Sequence, residues 1–147
     1  MRGVVDDSGR AMLPIEILCP KYPTGVRVDA WIDTGFTGDL VLPQSLIDDL
    51  QLAITGSIDG VLADGSAIEL STYHCELDWF GKRRSLEVIA NSGQTPLLGV
   101  GLLLAKELCV DYSNLELTLT SMEVLVHRSA DRRDDTSGSR AVSYRVV

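Results

Sequence analysis

Cysteine, histidine and long apolar runs are all scarce in this chain of 147 residues. Cys19, Cys75 and Cys109 are odd in number, far apart and without CxxC spacing, which argues against a disulfide framework or a zinc site. Three reduced, mostly buried thiols are expected, with no metal and no cofactor. His74 and His127 lack acidic or cysteine partners at ligand spacing, so both are expected to face solvent. A serine or cysteine nucleophile therefore has no histidine placed by a recognisable pattern. No run of about 18 apolar residues exists, and MRGVVDDSGR has no leader-like apolar stretch. These absences point to a cytoplasmic protein without a membrane partner.

What the chain has in excess is acid. Its formal charge is −8, and residues 128 to 147 hold five arginines against three aspartates, so residues 1 to 127 carry −10. Such a body repels phosphate backbones, which excludes nucleic acid as the main ligand. The apolar fraction of 45% and the length suit one domain with a real core.

Period-two alternation dominates. In VRVDAWI, Val26, Val28, Ala30 and Ile32 share one face; in YHCELDW, Tyr73, Cys75, Leu77 and Trp79 share another. Between Ile68 and Leu70 on one side and Tyr73 on the other the apolar phase slips by one residue, predicting a bulge near Ser71 and Thr72. Asp64 and Gly65 mark the turn of a long hairpin over about 56 to 79, and FGK at 80 to 82 marks a second turn. Two short helices are expected, PQSLIDDLQL from Pro43 and GVGLLLAKEL from Gly99, followed by strands at about 108 to 112 and 115 to 126. The expected organisation is an N-terminal arm over 1 to 11, a mainly antiparallel all-β domain over 12 to 126, and a polar flexible tail over 127 to 147. The tail ends in AVSYRVV, extended and apolar enough to imitate a substrate strand.

One acid is conspicuous. In AWIDTGFTGDLVLP, Asp33 lies between an apolar strand and a glycine-containing exit. A carboxylate leaving water is costly unless paired or hydrogen-bonded, so this one needs a structural partner or a chemical task. Thr34 supplies a hydroxyl, and Gly35 a place where backbone or substrate can come close. The bland alternative is a turn, since Asp, Thr and Gly are all turn residues. Aspartyl-phosphate chemistry would need a lysine after the Asp or a second Asp two residues on, and neither is present.

The order of elements decides between these readings. A DTG triplet after the strand AWI, a hairpin about 30 residues later, then LLGVGLL at 97 to 103 and a short helix resemble the retropepsin-like aspartic proteases. DTGFTGDLVLP is most similar to their small, single-domain prokaryotic members, and the likeness covers about residues 12 to 122. The resemblance implies a closed acid-protease barrel with one or two short helices. It implies Asp33 as catalytic carboxylate, Thr34 bracing two active-site loops across a dimer, and Gly35 letting them pack. Leu98 and Gly99 match the apolar-glycine element beside the catalytic loop, and Ala63, Asp64 and Gly65 the tip of a substrate-covering flap. Phe36 and Thr37 fall at positions implied to touch substrate, Phe36 standing where many of these enzymes have alanine. The flap tip lacks their multiple glycines, and Gly101 occupies a position that is often polar.

Chemistry adds a count. Activating water needs a base and polarising an amide needs an acid, which one carboxylate cannot be at once. Two facing carboxylates sharing one proton can. Neither ADGS at 63 to 66 nor DTSG at 135 to 138 qualifies as a second motif. The expectation is a homodimeric endopeptidase acting on peptide or protein, with an acid-side pH optimum. Its rival is a dimeric peptide-binding or scaffold domain of the same fold without hydrolysis.

Overall fold

Alternation builds the first long strand. In β2 (Ala11–Cys19), Ala11, Leu13, Ile15, Ile17 and Cys19 are all buried while the positions between them are not. β2 runs antiparallel to β3 (Tyr22–Ile32), in which Ala30 and Ile32 are buried and Arg27, Asp29 and Trp31 are exposed, as the alternation predicts. The computed structural model describes residues 1–61 and 65–122, with the backbone of 144–145.

The remaining elements are β1 (Arg2–Val5), β4 (Leu40–Pro43), α1 (Gln44–Leu50), β5 (Ile54–Val61), β6 (Ala67–Trp79), β7 (Lys82–Asn91), β8 (Leu97–Leu98), α2 (Val100–Leu103), β9 (Lys106–Asp111), β10 (Glu116–Ser121) and β11 (Tyr144–Arg145). They form one sheet in the order β11-β5-β6-β7-β4-β8-β3-β2-β1-β10-β9, and a further pairing of β2 with β6 closes its middle strands into a ring. The all-β expectation holds. Leu13, Ile17, Leu40, Leu42, Leu77, Leu98 and Leu102 fill the inside of the ring. β4 is buried at every position, as befits a strand held between two neighbours and covered on both faces.

Several expectations shift in detail. Residues 1 to 11, read as an arm, contribute β1, which pairs with both β10 and β2. The predicted bulge is present, but its extra residue is Thr55 on β5, between the pairs Ile54–Tyr73 and Gly56–Thr72. There β6 leaves the hairpin: beyond His74 its partners are β7 and β2, so its buried side changes phase from Thr72 to Cys75. The second helix is far shorter than GVGLLLAKEL. α2 stops at Leu103 because Ala105 takes a left-handed φ of 57°, and the chain is a strand from Lys106. α1 agrees with its prediction, with Ile47 and Leu50 buried. Phe80 and Gly81 both have positive φ, a two-residue turn of the kind that suits a tight hairpin. Cys19 and Cys75 are buried, whereas Cys109 is exposed. Beyond Met122, the flexible-tail reading and His127 lie outside the described residues.

Candidate active site

β3 delivers Asp33 into a loop that ends where β4 begins at Leu40. β8, only two residues long, is wedged between these strands, parallel to β3 through Trp31–Leu97 and Ile32–Leu98, and antiparallel to β4 through Leu40–Leu98 and Val41–Leu97. Both ends of the loop are thus tied to one short element.

Backbone bonds extend the tie. The Asp33 N–H donates to the Leu98 carbonyl at 2.9 Å, and the N–H groups of Gly99, Val100 and Gly101 donate to the carbonyls of Asp39, Phe36 and Gly38, each at 2.9 Å. Glycine is required where the two segments meet. A Cβ on Gly99 would run into the Gly38 carbonyl oxygen and the Phe36 ring, and one on Gly38 would run into the same ring. The loop's shape is therefore set from behind.

The Asp33 carboxylate is half-buried. Its Oδ1 accepts the Gly35 N–H at 2.8 Å, and its carbonyl accepts the Phe36 N–H at 3.2 Å. Among the described residues no other side-chain hydrogen bond and no ion pair reaches it. Thr34 and Gly35 are exposed beside it, and the Thr34 hydroxyl has no hydrogen-bond partner among the described residues. One carboxylate oxygen is oriented by backbone while the other stays open to a ligand or a second acid.

Phe36 behaves differently from its sequence assignment. Its side chain is only 1% exposed and packs with Val41 and Ile89, against the half-buried Ile58, Leu70 and Leu97. A ring turned inward props the loop from beneath and offers no face to a substrate. Thr37 is exposed next to it. Leu98 and Gly99 are buried and act through the backbone bonds already described.

The hairpin of β5 and β6 covers this region. Ile58 and Leu70 from the hairpin reach the Phe36 cluster, and a cavity of about 180 Å³ is lined by Asp39, Ile58, Thr72, Glu87 and Ile89. Thr72, buried to 4% exposure, shares a hydrogen bond of 2.9 Å with the Thr55 hydroxyl. Gly65, at the expected turn, has φ +85°, a conformation that suits glycine. Ala63 and Asp64 lie outside the described residues.

Asp39 was not among the sequence candidates. Its carboxylate meets Arg84 of β7 at 3.3 Å while its carbonyl receives Gly99, so it fastens the far end of the loop to the ring. No local signal marks it, because its partner is 45 residues away. Four larger cavities, three of about 340 Å³ and one of about 740 Å³, contain none of the candidate site residues.

No family model and no curated protein matches the sequence. Among solved structures, the chain is similar to simian foamy virus protease, at 20% identity and a TM-score of 0.46, over 63% of this chain and 90% of that one. It is also similar to EIAV protease complexed with an inhibitor, at 15% identity and a TM-score of 0.49, over 67% of this chain and 88% of that one. These are likenesses of fold.

Proposed function

We propose that the protein is an aspartic endopeptidase whose catalytic dyad is formed by Asp33 from each of two subunits. The observation that carries this reading is the Asp33 carboxylate itself: one oxygen held by the Gly35 N–H, no cation paired with it among the described residues, and a loop locked from behind by β8 and Gly99. In the dimer the two carboxylates share one proton, since like charges so close do not both ionise. The ionised member takes a proton from water as the protonated member donates to the amide carbonyl, and the tetrahedral intermediate forms without a covalent adduct. Thr34, whose hydroxyl has no partner among the described residues, braces one loop against the other. Substrate lies extended between the loop and the β5–β6 hairpin, pairing through its backbone with strand edges. A cytoplasmic setting is part of the proposal and rests on the sequence alone.

The test is Asp33→Asn. An asparagine oxygen still accepts the Gly35 N–H, so folding should survive, while turnover of a peptide library falls by about a hundred- to ten-thousand-fold, the usual scale of general acid–base assistance. An unchanged rate, or sedimentation as a monomer at concentrations where hydrolysis persists, overturns the reading.

A silent peptide-binding domain is the second reading. It is favoured by the Asp33–Gly35 hydrogen bond, which gives the carboxylate a turn-forming task of its own. A peptide isostere bearing a hydroxyl in place of the cleaved amide separates the two. The enzyme binds it through Asp33 and loses it in Asp33→Asn, whereas the silent domain does not distinguish the two proteins.

A further inference from the structure

One edge of the flap strand β5 is taken by two residues of the chain's own C-terminal segment. β5 pairs with β6 on one side; on the other, β11 runs parallel to it, with Tyr144 opposite Gly60 and Arg145 opposite Val61. We propose that this segment is an intramolecular occupant of the peptide cleft, a strand that competes with substrate for the edge of β5. The proposal rests on the cleft reading above, and deepens it.

Three observations converge. First, an unpaired strand edge is a template for any extended peptide, and addition of a strand is a common way to bind one. Second, the β5–β6 hairpin carries an unfavourable charge pair: Asp59 and Glu69 sit directly across from each other, and neither forms an ion pair among the described residues. Residues 128 to 147 bring five arginines against three aspartates, a net +2 in a chain that is otherwise −10. The charge of this sequence is opposite to that of the hairpin. Third, Ile58 of β5 lines the cavity that also contains Asp39 of the Asp33 loop, so β11 pairs with the strand that borders the floor a substrate must reach.

Reach is no obstacle. The 21 residues between Met122 and Tyr144 span up to about 70 Å when extended. A tethered strand also has the advantage of effective concentration, so an external peptide must outcompete it.

The experiment uses the full chain in the Asp33→Asn background, so that no bond is cleaved, beside the same chain carrying Tyr144→Pro. Proline removes a backbone donor from the strand and leaves the ring of strands untouched. Amide exchange over residues 58 to 61 should quicken at least tenfold in the proline variant. A labelled synthetic peptide of residues 139 to 147 should bind that variant at least tenfold more tightly than the parent. Equal exchange and equal peptide affinity in the two proteins overturn the proposal. Protection that disappears on dilution assigns the strand to a neighbouring copy and overturns its intramolecular form. None of these readouts depends on hydrolysis: a chain that shows the occupancy but cleaves nothing loses only the endopeptidase reading.

Discussion

The loop that carries Asp33 and the hairpin that covers it are built on opposite terms. The loop is fixed by backbone hydrogen bonds to residues 98 to 101, by glycines that admit no side chain, and by a phenylalanine buried beneath it. The outer hairpin exposes Ile54 at 66%, Val61 at 39% and Ile68 at 38%, and places two acids face to face. On the proposed reading, a catalytic carboxylate must hold its position to a fraction of an ångström, while a cover must admit chains of many sequences. Rigidity is concentrated in the floor, and tolerance in the cover.

The sharpest way to break this contrast is Phe36→Ala. Removing a ring that is 1% exposed leaves a cavity under the loop, and the expected loss is about 3–5 kcal/mol, read as a lower urea midpoint at unchanged slope. A loss below about 1 kcal/mol would mean that the backbone bonds alone hold the loop. Glu69→Lys probes the other side. It replaces a like-charge pair with an opposite one and should stabilise the chain by about 0.2–1 kcal/mol, a gain that shrinks with added salt. A loss of several kcal/mol would place the hairpin among the structural elements.

A smaller effect lies at the β9–β10 turn, far in the chain from both regions. Asp111 accepts hydrogen bonds from the side chain and backbone of Ser113 and of Asn114, and these hold its carboxyl well below the usual aspartate range. Because the folded value is depressed, the contribution to stability is fully present above the unfolded value of about 3.9 and is lost as pH falls through the folded one. Thermal midpoints of the native chain and of Asp111→Ala should therefore differ at pH 7 and converge between about pH 4 and the acid limit. A difference independent of pH would detach the effect from the carboxylate. Among the thiols, burial pushes Cys75 up to about 12, so it stays protonated; Cys109 alone should react with a thiol reagent in the native protein, and reaction of all three at equal rates would contradict the packing.

Much of the scaffold was legible because it is local. Alternation in VRVDAWI and YHCELDW gave the correct faces, and Gly65 the position of a turn. The same pattern marks Ala11–Cys19, where Leu13, Ile15 and Ile17 alternate with less buried residues, although that strand was not singled out. What resisted reading was non-local. Nothing near residue 36 reveals that the Phe36 ring turns inward, since the space it fills is defined by Gly38, Gly99 and Ile89. The pairing of Leu97–Leu98 with two strands at once, and the tie from Asp39 to Arg84, need the folded chain to bring distant residues together. The left-handed turn at Ala105 overrode a run of good helix formers.

β1 holds a consequence for how two copies can meet. Its residues are committed to β10 along one edge and to β2 along the other, and the Met1 ammonium caps the arrangement on the Leu119 carbonyl at 2.6 Å. Exchanging this strand between subunits would cost each its own ladder before any new one formed. In the proposed dimer, symmetry must therefore be satisfied by other surfaces, and the flank of β9, which pairs with no further strand among the described residues, is one of them.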